Sequence, residues 1–156
     1  MALDPAWQYI KIGLSDELDI PAAQLFNVPC KIDTGAYNCS IDCSHWAVEE
    51  INGTPHLVFT LLGNDYRQYS GISLKTTDFI RKKVKSSTGH VEYRYQVSLT
   101  IVMFGESVEA AFNLSKRHNM RYPILLGRKF LSKKFLVDVS KKNISKKLKA
   151  KQNISN

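Results

Sequence analysis

Lys31-Ile32-Asp33-Thr34-Gly35-Ala36 is the stretch on which the reading of this chain turns. The apolar run Val28-Pro29-Cys30 leads into it, so Asp33 falls where a strand gives way to small residues. Gly35 admits backbone angles closed to other residues and lets an amide approach the carboxylate. Thr34 adds a hydroxyl able to bond nearby backbone. The same residue types also build plain surface turns, and the triplet alone leaves that reading open beside a catalytic loop.

Outward from this loop the chain reads as strands. Between Val91 and Met103, apolar residues at odd positions alternate with Glu92, Arg94, Gln96, Ser98 and Thr100, which predicts a long strand with one buried face. Alternation resumes at Val108, Ala110, Phe112 and Leu114, so the two runs should pair as a hairpin. Trp7 to Ile12, Val28 to Ile32, Leu57 to Leu62, Ile72 to Leu74 and Phe79 to Val84 are shorter candidates, mostly bounded by turn residues. Arg81, Lys82, Lys83 and Lys85 lead into Ser86-Ser87-Thr88-Gly89, which reads either as a lid over a cleft or as an ordinary polar β-turn. Helix signals are few: Ser44 to Ile51, with Ser44 as N-cap, and Arg128 to Lys134. The expected architecture is all-β, a closed or partly closed barrel with one or two short helices.

Composition sets the bounds. A chain of 156 residues with 44% apolar content fits one core. The start MALDPAWQYIKIGLSDELDI carries no basic, apolar leader pattern, and no window approaches a membrane span. Cys30, Cys39 and Cys43 make an odd count that suits free thiols in a reducing compartment, so a cytoplasmic protein without membrane contact is expected. The formal charge of +8 is concentrated at one end, where residues 133–156 hold eight lysines against Asp138. We therefore expect one domain over 1–140 and a basic, disordered tail over 141–156. Such a tail could reach nucleic acid, a ribosome or an acidic substrate, or serve only solubility.

A second stretch changes the weight of the first. Tyr122-Pro123-Ile124-Leu125-Leu126-Gly127-Arg128-Lys129-Phe130-Leu131 runs a buried strand into glycine and a short helix, and Phe135-Leu136-Val137-Asp138 supplies a final strand. Together with the Asp33 stretch, in this order and spacing, the chain resembles the retropepsin-like aspartic peptidases. Within them it is most similar to the bacterial family named ATP-dependent zinc proteases, partners of RimK-type glutamate ligases. The matching pieces are Trp7, Lys31 to Ala36, Ser87 to Gly89 with Glu92 and Arg94, Phe112 to Leu114 with Arg117 and Met120, Tyr122 to Leu131, and Val137-Asp138. Where that family commonly has a histidine after its Asp-Thr-Gly-Ala, this chain has Asp42.

The resemblance implies a retropepsin-like barrel in which Asp33, with Thr34 and Gly35, is catalytic. Ala36 and the flap tip Ser86, Ser87, Thr88 and Gly89 would contact substrate. Leu126, Gly127 and Arg128 would support the loop, with Arg128 in an ion pair to Asp42 or Asp138. One chain supplies one Asp-Thr-Gly, and water activation in this chemistry takes two carboxylates, so a homodimer is implied. The substrate would be a peptide or protein, with acidic or glutamate-rich tails suited to the basic flap and tail. No cofactor is expected. Cys39, Cys43 and His45, with Asp42 or Asp33 nearby, are the only zinc candidates, and their spacing is a weak signature. Two other functions stay open: a non-catalytic dimerisation or peptide-binding module of the same fold, and a metal-dependent hydrolase.

Overall fold

In the computed structural model, which describes residues 9–85 and 87–155, eleven strands and two helices follow one another along the chain. They are β1 (Ile10–Ile12), β2 (Ser15–Ile20), β3 (Leu25–Ile32), β4 (Cys39–Ile51), β5 (Thr54–Leu61), β6 (Ser73–Thr76), β7 (Phe79–Lys85), β8 (Val91–Met103), β9 (Glu106–Ser115), β10 (Ile124–Leu126), α1 (Arg128–Leu131), β11 (Phe135–Val137) and α2 (Ile144–Ser155). Trp7 and Ser86 lie outside the described residues.

The alternation in β8 does what its period predicts: Val97, Leu99, Ile101 and Met103 are buried. β8 pairs antiparallel with β9 from Gln96↔Asn113 to Met103↔Glu106, which confirms the expected hairpin. The sheet runs β10-β3-β2-β8-β9-β4, and a further β10–β4 pairing closes it into a six-stranded barrel. Closure leaves those six strands without an open edge. β5 and β6 extend from β4, and β7 pairs with β8 outside this ring. One apolar cluster fills the interior, including Phe112, Ile101, Ile124, Leu126 and the thiols of Cys30, Cys39 and Cys43. β1 and β11 form a separate parallel pair, Ile10↔Phe135 to Ile12↔Val137.

Two expectations fail and one strand was not anticipated, each for a physical reason. Ser44 to Ile51 is no helix with a Ser44 cap; it is the outer half of β4, paired with β5. A register shift between Cys43 and His45 breaks its alternation, so the sequence shows no clean period of two. Ser15–Ile20 is a strand that the apolar pattern hides, because one of its inward positions is Asp16, only 1% exposed. Residues 144–155 are no disordered tail; they form α2. Both Asp16 oxygens cap that helix, Oδ2 accepting the Ser145 N–H at 2.9 Å and Oδ1 the Lys146 N–H at 3.0 Å. The Ser145 hydroxyl in turn accepts the Phe104 N–H, and Lys149 pairs with Asp19 at 2.9 Å. An isolated 12-residue helix is marginal in water, and these contacts supply what its sequence lacks.

Candidate active site

Asp33 sits one residue beyond β3, and β10 fixes where it points. β10 lies between β3, in parallel register Leu126↔Ile32, and β4, in antiparallel register Ile124↔Ile41. The Asp33 N–H continues that ladder by donating to the Leu126 carbonyl at 2.9 Å. Beyond it the chain turns: the Ala36 N–H reaches the Asp33 carbonyl, and the Gly35 N–H donates to Asp33 Oδ1 at 2.9 Å. A Cβ on Gly35 would stand 3.1 Å from that same oxygen, so a side chain there would push the carboxylate aside by a few tenths of an ångström. The side chain of Asp33 is half-buried, whereas Thr34 and Gly35 are exposed.

Gly127 and Arg128 lock this turn from beneath. The Gly127 N–H points at Cys39 Sγ at 3.5 Å, and a Cβ there would lie 2.5 Å from the Asn38 carbonyl oxygen and 2.8 Å from that of Tyr37. The first N–H groups of α1 would otherwise lack partners. The carbonyls of Ala36 and Tyr37 accept them, from Arg128 at 2.8 Å and Lys129 at 2.9 Å. The guanidinium of Arg128 reaches back over the loop, donating from Nη1 to the Thr34 carbonyl at 2.9 Å and stacking over the Tyr37 ring at 5.9 Å.

The expected ion pair of Arg128 is therefore replaced by a hydrogen bond to the loop backbone. Both proposed partners are engaged elsewhere. Asp138 accepts from the backbone and hydroxyl of Ser140, its carboxyl held below the usual range by these bonds and by Lys11. Asp42 is 1% exposed and accepts the Arg117 N–H on Oδ1 at 2.6 Å. Its Oδ2 is buried without a hydrogen-bond partner among the described residues. Asp42 lines a cavity of about 530 Å³ together with Asp65, Lys116 and His118, away from the Asp33 turn.

The zinc candidates do not converge. Cys39 packs under Gly127, while the Cys43 thiol lies within hydrogen-bonding reach of the carbonyls of His45 and Thr60. Burial pushes both thiols up, Cys43 to about 11, which disfavours the thiolate a metal would need. Among the described residues no group of three His, Cys, Asp or Glu side chains is placed to hold an ion. This donor set does not fit zinc.

The residues expected to form a flap lie on a separate hairpin. β7 and β8 pair from Phe79↔Val97 out to Lys85↔Val91, and Ser87, Thr88 and Gly89 form its exposed tip, with Gly89 at φ +85°. Strand parity sorts the basic residues, a distinction that a simple count of charges in the sequence overlooks. Phe79 and Val97 share the face that enters the core, so Arg81 opposite Tyr95 and Lys83 opposite Tyr93 continue that face outward. Lys82 and Arg94 occupy the other face. The Arg81 guanidinium lies 4.6 Å from the centre of the Tyr93 ring.

Comparison with known proteins agrees with this geometry. Residues 11–148 match the family described as RimB-like, retropepsin-like aspartic endopeptidase RimB. Two curated proteins, each named "Probable alpha-L-glutamate ligase", from Shewanella halifaxensis and Shewanella pealeana, are 31% identical over 131 residues. The match covers 83% of this chain, which spans 28% of the length of those relatives. A crystal structure of a Legionella pneumophila protein of unknown function superposes with a TM-score of 0.64 at 23% identity, covering 86% of this chain and 96% of that one. That likeness concerns the fold alone.

Proposed function

Since this chain belongs to the RimB-like family of retropepsin-like aspartic endopeptidases, we propose that it hydrolyses peptide bonds as a homodimer whose two Asp33 carboxylates flank one water. The observation that carries the reading is the state of Asp33. It is held at a strand end by the Leu126 carbonyl, pinned on one oxygen by Gly35, and set in a turn with exposed neighbours. A second copy apposed there through a two-fold axis would bring two carboxylates together.

In such a pair one carboxylate holds a proton and the other does not, because two negative charges about 3 Å apart repel strongly. Aspartic proteases are the standard illustration of that effect, and only its transfer to Asp33 is new. The ionised carboxylate takes a proton from the water as its oxygen attacks the scissile carbonyl carbon. The protonated one gives its proton to the carbonyl oxygen, and collapse of the tetrahedral intermediate returns a proton to the departing amine. The flap formed by β7 and β8 would close over the bound chain and exclude water.

Acidic or glutamate-rich tails are the substrate class we favour. Arg81 and Lys83 lie on the flap face continuous with the core, and the curated relatives carry names of glutamate ligases. Three free, buried thiols suit a reducing cytoplasm. No helix among the described residues is long and apolar enough to cross a membrane.

The test is Asp33→Asn assayed on a glutamate-rich peptide. Cleavage should vanish while the folded signal persists, chelators should leave the unaltered chain active, and specific activity should fall on dilution through the dimer equilibrium. Full activity in Asp33→Asn would end the proposal.

A further inference from the structure

The fold gathers a run of lysines around one open depression whose floor is largely apolar. The Asp16 cap anchors α2, and the Leu14 N–H donates to the Lys141 carbonyl at 2.9 Å, which brings the preceding segment against β1. At Gly13 a Cβ would run into that Lys141 carbonyl, so the close approach requires glycine. Docking in this way gathers Lys11 from β1, Lys141 and Lys142 from the segment, and Lys147 and Lys151 from α2 around one cavity of about 420 Å³. Phe104 and Leu148 supply apolar wall, and no acidic side chain lines it. Asp138 reaches Lys11 at 3.8 Å. Five lysines from three parts of the chain surround it with charge of one sign, and a bound polyanion would balance that charge.

The place of this cavity relative to Asp33 gives it a use. The Ile32 N–H donates to the Leu14 carbonyl at 2.9 Å, so Leu14 bridges the residue before Asp33 to Lys141. Two such backbone spacings amount to about 10 Å. An extended peptide advances roughly 3.3–3.6 Å per residue, so about three residues cover the backbone separation between Ile32 and Lys141.

We propose that this lysine-lined cavity is an exosite that holds acidic side chains of the substrate beside the cleavage site, a proposal that rests on the peptidase reading of Asp33. Acidic peptide fits the cavity better than nucleic acid. Its lining holds no arginine, and its one aromatic, Phe104, packs on Phe135 with ring centres 5.9 Å apart, which leaves no open platform for stacked bases.

The experiment measures binding without cleavage. Dye-labelled hexaglutamate is titrated by fluorescence anisotropy into the full chain carrying Asp33→Asn, with and without Lys142→Gln and Lys147→Gln. The double change should weaken binding about tenfold, and added salt should weaken binding to the Lys form more than to the Gln form. Lys142→Arg with Lys147→Arg should keep the affinity, and far-UV circular dichroism should show α2 intact in both. Equal binding by the Gln form overturns the exosite, as does tighter, equally lysine-dependent binding of a six-nucleotide single-stranded RNA. If hexaglutamate binds in a lysine-dependent way and the unaltered chain cleaves no glutamate-rich peptide, the lysines form a binding site for acidic peptide, and both the peptidase reading and the exosite role that rests on it fall. Cleavage combined with lysine-independent binding leaves the peptidase reading standing and overturns the exosite.

Discussion

Asp16 and Asp33 are neighbours with opposite fates. Asp16 faces Cys30 across the β2–β3 pair, and Asp33 follows Cys30 by three residues, just past the end of β3. Asp16 is 1% exposed, and backbone N–H groups of Glu17, Ser145 and Lys146 occupy its oxygens. Asp33 is half-buried, and one N–H, that of Gly35, reaches its side chain among the described residues. A carboxylate saturated by fixed donors holds structure together. One left with unoccupied lone pairs in an exposed turn can exchange protons.

The largest effects should separate the two. Asp33→Asn is expected to lower kcat by roughly 10²- to 10⁴-fold or more, with the thermal midpoint nearly unchanged, because the amide oxygen can still accept the Gly35 N–H. Asp16→Ala should do the opposite. It strips the cap from α2 and leaves the Ser145 N–H buried without a partner, at a cost of about 2–3 kcal/mol. In a chain of this size that lowers the thermal midpoint by roughly 4–12 °C, and hydrogen exchange should show α2 opening first. A midpoint unchanged in Asp16→Ala, or lowered by several degrees in Asp33→Asn, would erase the distinction.

The same contrast explains what the sequence discloses. Asp33 is legible because its constraints are local: the glycine two residues on and the apolar run before it are both read directly. Its partner stretch, Ile124 to Arg128, is equally compact, and the register Leu126↔Ile32 joins the two. Asp16 is illegible because its partners lie 129 and 130 residues away. An acid at an inward strand position hid β2, and a helix whose cap comes from β2 then looked like a loose tail. Arg128 falls between these cases. Its role in supporting the loop can be read from the motif, whereas the identity of its acceptor, the Thr34 carbonyl, depends on how the turn folds.

Thiols extend the comparison from position to pH. Burial is the chief reason that Cys43 is pushed up to about 11, with hydrogen bonds to His45 and Thr60 opposing it. Its folded value lies above the reference of 9.0, so the folded state retains a proton that the unfolded chain releases. Stability from this group is complete below about pH 9 and is lost as pH rises towards 11. Thermal midpoints should therefore fall steadily between those values. Cys43→Ala should make the decline shallower without removing it, since burial also raises Cys30 and Cys39. An identical slope in both proteins would show that Cys43 ionises in the folded state as it does in the unfolded chain.

The smallest effect decides what holds α2. Lys149 Nζ lies 2.9 Å from Asp19 Oδ2 and 2.8 Å from Asn27 Oδ1, and by distance alone this contact rivals the Asp16 cap. The lysine side chain is 45% exposed, however, and water and salt screen a pair of that kind to within about 1 kcal/mol. Lys149→Met keeps the stem and removes the charge, so the thermal midpoint should drop by no more than roughly 2–4 °C. That drop should shrink in high salt, whereas the loss in Asp16→Ala should persist, because the cap consists of buried hydrogen bonds. If Lys149→Met opened α2 as fully as Asp16→Ala does, the ion pair and not the buried carboxylate would anchor the helix. The contrast between Asp16 and Asp33 would then be one of exposure alone.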